Sequence, residues 1–204
     1  MNPNPKRVVY TPAAVSANGI AAALTGAGPF ATFVLPGASD SLEHQVALAS
    51  TADLSATGFT ITGTDANGNV ISEVHAGPNN NSVLSVKYFK TVTLITASVS
   101  LGANTLNVGW GAPARTRWEQ IDYRQNSFAV STALALTAGS ISYNLEHTYD
   151  PLTDSNAASA FIELAAQTTS RDVQFVAPVM GVRANILSNT GATFTHYAVQ
   201  GERA

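Results

Sequence analysis

The chain has 204 residues, 45% of them hydrophobic but only 11% charged, so it can bury a core in one large domain or two small ones while carrying less than half the usual charge. A net charge of −3 and a pI near 5.7 argue against nucleic-acid binding driven by phosphate neutralisation. The absence of cysteine excludes a disulfide framework and thiolate metal sites.

Residues 1–28 read as an extended N-terminal arm, with a short strand candidate at Arg7-Val8-Val9-Tyr10-Thr11 and an Ala/Gly-rich stretch after it. Pro12, Asn18, Gly19, Gly26 and Pro29 interrupt any apolar signal-peptide core, and the run at 20–24 is far too short to span a bilayer. The expectation is a protein made in the cytoplasm, without a membrane partner.

A first β module is expected over 29–112. Residues 30–35 form a strand candidate closed by Pro36-Gly37, and 45–49 form a second. Phe59-Thr60-Ile61-Thr62 alternates strictly, with Phe59 and Ile61 on one face. Asp65-Ala66-Asn67-Gly68-Asn69 is turn chemistry, because Asn-Gly readily takes positive φ, and 70–75 is the returning strand. The Asp/Asn spacing superficially suggests a calcium loop, but the glycine is the fourth residue and no glutamate follows at the twelfth.

A linker over 113–125 holds the most charged and aromatic stretch of the chain. Arg115, Arg117, Trp118, Tyr123 and Arg124, with Arg7 and Tyr10 from the arm, are the candidate subunit contacts, since Arg and aromatic side chains favour interface anchors. The competing reading is a strand between modules whose Trp118 caps a core and whose arginines pair with Glu119 and Asp122.

A second β module is expected over 126–204. Strand candidates lie at 128–130, 134–136 and 141–147, the last with Ile141, Tyr143 and Leu145 inward. Residues 149–156 form a loop. Residues 157–167 hold good helix formers, yet Phe161-Ile162 reads equally as strand.

The modules carry what reads as a repeated hairpin, at 92–110 with the turn Leu101-Gly102-Ala103-Asn104, and at 182–200 with the turn Thr190-Gly191-Ala192-Thr193. Many short strands with frequent turns point to an all-β fold: two tandem antiparallel β-sandwich, jelly-roll-like modules behind an arm.

Chemistry is sparse. His44, His75, His147 and His196 show no metal-ligand spacing. Glu73, Glu119, Asp122, Glu146, Asp150, Asp154 and Glu163 could supply a carboxylate pair for glycoside hydrolysis or deacetylation, but thirteen acidic residues supply such pairs by chance. No nucleophile elbow or nucleotide-binding glycine pattern occurs. The expectation is a non-enzyme with no metal and no cofactor. A glycan-binding module is a competing class, with Trp110, Trp118, Tyr123, Tyr149 and Tyr197 as stacking candidates.

Two stretches resemble small structural proteins of tailed bacteriophages. One is Tyr143-Asn144-Leu145-Glu146-His147-Thr148-Tyr149-Asp150. The other is Pro178-Val179-Met180-Gly181-Val182-Arg183-Ala184-Asn185, continuing to Gln200-Gly201. The run 64–89, with its Asp/Asn-Gly turn, Val70-Ile71-Ser72-Glu73 strand and Gly77-Pro78 loop, is similar to the same family. Met180-Gly181 departs from the family pattern. The resemblance covers about half the chain and transfers no catalytic residue. It implies a virion component that decorates or cements the capsid, or else belongs to the neck or tail. Its partners would be other virion proteins and further copies of itself.

Overall fold

The computed structural model describes residues 6–26, 35–36, 40–124 and 129–201. The chain is all-β, and among the described residues no helix is long and apolar enough to cross a membrane. The first strands are β1 (Lys6–Tyr10), β2 (Ser16–Leu24), β3 (Leu35–Pro36), β4 (Glu43–Ala49) and β5 (Gly58–Thr64). Next come β6 (Val70–Ala76), β7 (Ser82–Phe89), β8 (Thr91–Ala97), β9 (Leu106–Arg115) and β10 (Glu119–Gln120). The last are β11 (Ala129–Thr148), β12 (Phe161–Gln167), β13 (Arg171–Phe175) and β14 (Gly181–Gly201). The strand expected at 30–35 lies outside the described residues apart from Leu35.

Two compact units share these strands: Val15–Ala112, and Met1–Ala14 together with Pro113–Ala204. In the first, β2, β9, β4 and β7 form one layer, and β3, β8, β5 and β6 another. One apolar cluster holds side chains of both layers: Ile20, Val46, Leu48, Leu106 and Val108 with Phe59, Ile61, Ile71, Val92 and Ile95. The hairpin of β5 and β6 keeps unbroken register from Gly58↔Ala76 to Thr64↔Val70. Phe59 and Ile61 are fully buried, as alternation requires. The turn closes as its residues dictate: Gly68 takes φ 85, and the Asp65 carboxylate accepts the Asn67 and Asn69 amides at 2.9 and 2.8 Å.

The second unit is built on β11 and β14. They pair antiparallel from Ala129↔Gly201 to Thr148↔Gly181, with register shifts between Leu136 and Ser140. The strands expected separately at 128–130, 134–136 and 141–147 are thus one element from Ala129 on, residue 128 lying outside the described residues. β13 and β12 line the far side of β11 in succession, while β1, the end of β9 and β10 line the far side of β14. The ribbon doubles back at its middle, because Val182 near one end of β14 and Ala198 near the other share a core with Val130, Phe175 and Ile121. Gly139 and Gly191 make the bend, with φ 69 and 59. A Cβ on Gly139 would stand 2.3 Å from the Gly191 carbonyl oxygen, so only glycine lets the two strands turn this corner together.

The two repeated motifs are therefore not hairpins. Residues 182–200 lie within the single strand β14. In 92–110, β8 belongs to one layer and β9 to the other. Both Gly-Ala turns are corners between layers, and Gly102 and Gly191 share φ 59. A local strand–glycine–strand pattern fits a corner as well as a hairpin, and pairing with distant strands decides between them.

Residues 157–167 resolve as a turn leading into β12. β11 needs a partner along Tyr143–His147, and Ala166 at φ 48 stands outside helical backbone space.

Candidate subunit-contact site

The segment that the sequence singled out runs along β14. Arg115 and Ala114 pair with Asn185 and Ile186, the Thr116 amide donates to the Ala184 carbonyl at 2.9 Å, and the Thr116 hydroxyl accepts the Ala184 amide at 3.0 Å. Glu119↔Val182 and Gln120↔Gly181 continue the ladder, and the Ile121 amide donates to the Met180 carbonyl. Alternation along this stretch buries Trp118 and leaves Arg117 half-exposed.

Trp118 is fixed from two sides. Its indole N–H donates to the Ser155 carbonyl at 3.3 Å, and the Arg183 guanidinium lies 4.0 Å from its ring centre. Glu119, also buried, accepts Arg117 Nε at 3.1 Å and the Lys6 ammonium. Tyr10 stacks on Phe194 with centroids 5.4 Å apart, and burial, with Glu119 nearby, pushes its phenol up to about 12. Tyr10 and Trp118 thus serve this chain's own core.

The exposed remainder consists of Arg7 on β1, Arg117, Tyr123 and Arg124. Arg124 lies 5.5 Å over the Tyr123 ring. Gln200 clamps this end, accepting the Asp122 amide at 2.9 Å and donating to the Asp122 carbonyl at 2.6 Å. Gln120, Asp122, Tyr123, Arg124, Met180 and Gln200 surround a mostly polar cleft of about 520 Å³. Such a surface can present guanidinium groups and one ring to a neighbour.

Several of the carboxylates considered for acid–base work make hydrogen bonds within the fold. Glu73 accepts the Val86 and Lys87 amides at 2.8 and 2.7 Å, Asp150 accepts the Ser159 amide, and Asp154 accepts the Asn156 amide. Glu146 accepts Arg183 Nε and Asn185 Nδ2, each at 2.7 Å. Among the described residues no group of three His, Asp or Glu is arranged to hold a metal ion. His44 meets Asp40 at 2.9 Å, and His196 meets the Thr132 hydroxyl at 3.0 Å. Burial drives His196 down to about 4. Of the glycan-stacking candidates, Tyr123 and Tyr149 are exposed, Trp110 and Tyr197 are half-buried, and Trp118 is enclosed.

The Glu146–Arg183 pair was missed because inward Ile141, Tyr143 and Leu145 assign Glu146 to solvent. The loop after β11 covers that second face: the Ser155 carbonyl accepts both Trp118 and Arg183. No protein-family model matches the chain, and comparison with curated proteins gives no significant match.

Proposed function

We propose that this chain is a non-enzymatic structural component of a tailed-bacteriophage particle: a capsid decoration or cement protein in first place, a neck or tail protein in second. In this reading the two units are tandem jelly-roll-like sandwich modules. The N-terminal stretch is an arm whose outer edge meets a neighbouring subunit. The protein is made in the host cytoplasm and works in the virion.

The observation that carries the reading is where uncovered apolar side chains lie. Val9 on β1, Val70 and Val74 on β6, Leu84 and Val86 on β7, and Phe161 and Ile162 on β12 are all exposed. Each of these strands ends a sheet path or pairs on one side only. Solitary proteins guard such edges with charge, proline or a covering loop; Lys6 and Arg7 on β1 and Lys87 on β7 do so here, whereas β6 and β12 hold no lysine, arginine or proline. A subunit repeated in a symmetric shell covers them against neighbours, and low surface charge suits that use. The phage-like sequence patterns fall on β5 to β7, the end of β11 and the start of β14, where they shape the framework.

Light scattering over a dilution series, followed by sedimentation with empty tailed-phage heads and with isolated tails, tests the proposal. The expected result is a closed ring, or a monomer that sediments with heads at a ratio set by shell symmetry. Sedimentation with tails alone selects the neck or tail reading. A monomer that joins neither particle part sinks the proposal.

A further inference from the structure

The outer edge of β12 is poorly protected. It pairs with β11 alone, and its sequence Phe-Ile-Glu-Leu-Ala-Ala-Gln has neither the lysine nor the proline that shields free edges. Phe161 is 49% exposed and Ile162 55%. Tyr149, 53% exposed, meets Phe161 at 5.4 Å with the rings inclined by 62°, which makes an open corner of two aromatic rings. Beneath them His147 stacks on Phe161 at 5.5 Å. Glu163 is the extra residue where the register of β12 slips, and its Oε2 lies 3.5 Å from His147 Nδ1. Burial holds His147 below its ordinary range, which disfavours an imidazolium beside Glu163.

Two partly exposed rings with a carboxylate close by offer contacts to a cation, and a free strand edge is a receptor for extended backbone. We propose that this corner and the adjoining edge of β12 bind an extended segment of a partner protein that carries an arginine or lysine. A second copy of the same strand does not fit, because residues 161–167 hold no cation to offer. The site is independent of the virion reading, since it specifies the chemistry of the segment and not the particle that supplies it.

Two blocked heptapeptides test the site: acetyl-Thr-Val-Thr-Arg-Thr-Val-Thr-amide, and the same peptide with uncharged citrulline in place of arginine. Each is titrated into the isotope-labelled full chain while amide shifts are followed by NMR. The arginine peptide is expected to move the amides of Phe161, Ile162 and Glu163 and to bind about tenfold more tightly than its citrulline twin. Glu163→Gln is expected to erase that preference, and Phe161→Ala to weaken both peptides. Both side chains are partly exposed, so the variants keep the fold, and amides far from the edge verify this in the same spectra. Equal affinity for the two peptides overturns the cation site. So does the absence of β12 shifts at millimolar peptide. Shifts at β12 produced by protein concentration alone assign the edge to a second copy and overturn the proposal as well.

Discussion

Removing one member of the buried Glu146–Arg183 pair strands the other. Arg183→Met leaves a carboxylate with only the Asn185 amide for company, and about 3–5 kcal/mol of stability is expected to vanish in urea unfolding. Adding Glu146→Leu to that variant is expected to restore most of the loss, because the cost lies in the orphaned charge. His196 sets a pH limit at the same scale. It is fully buried and neutral, with a folded value of about 4, whereas an unfolded histidine takes its proton near 6.5. Its stabilisation is complete above pH 6.5 and is lost as pH falls toward 4, a decline of about 3 kcal/mol. His147 shifts in the same direction for the same leading cause. Denaturant midpoints at a series of pH values, with the His196 ring titrated by NMR, check this. A ring that titrates near 6.5 in the folded protein contradicts it.

At the scale of the element, the corner glycines separate backbone strain from crowding. Gly139, Gly191 and Gly102 all have positive φ, but a Cβ on Gly191 or Gly102 meets nothing within 4 Å, while on Gly139 it strikes the opposite strand. Gly191→Ala and Gly102→Ala are expected to cost about 1–2 kcal/mol each, and Gly139→Ala distinctly more. Thermal unfolding of the three variants gives the order, and equal losses would refute the corner geometry. The same elements show which parts of the fold were legible. The β5–β6 hairpin was readable because turn residues, alternation and pairing all lie within 58–76. The long strands were not, because β11 meets β14 across some fifty residues of sequence, and the bend at Gly139 and Gly191 looks locally like a chain reversal. Among the candidate site residues, exposure of Arg7, Arg117, Tyr123 and Arg124 follows from charge and position. The enclosure of Tyr10 and Trp118 depends on Phe194, Ser155 and Arg183, whose proximity no local pattern reveals.

Across the whole molecule, the two units differ in self-sufficiency. Every member of the apolar cluster built on Phe59 and Ile95 comes from residues 20–110, so a fragment of residues 15–112 is expected to fold alone and unfold cooperatively. A fragment of residues 113–204 lacks β1 and with it the Tyr10 ring stacked on Phe194. Adding a peptide of residues 1–14 is expected to raise its melting temperature, which circular dichroism can follow. No change on addition would mean that β1 contributes nothing to that unit. Arg7→Glu combined with Arg124→Glu is expected to leave melting of the intact chain unchanged and, under the proposed virion role, to weaken sedimentation with phage particles, since both side chains are exposed.

The pairing of Tyr10 with Phe194 also imposes an order of events on the ribosome. Residues 6–10 leave the ribosome long before residues 194–198, the stretch of β14 that receives them. At about 5–20 residues per second, β1 waits roughly 10–40 s with Val8, Val9 and Tyr10 unpaired. Throughout that interval the compact unit of residues 15–112 is free to fold. β1 thus finds its place only after its distant partner has been made, and a nascent chain held in that interval offers a short apolar strand to any sheet edge nearby.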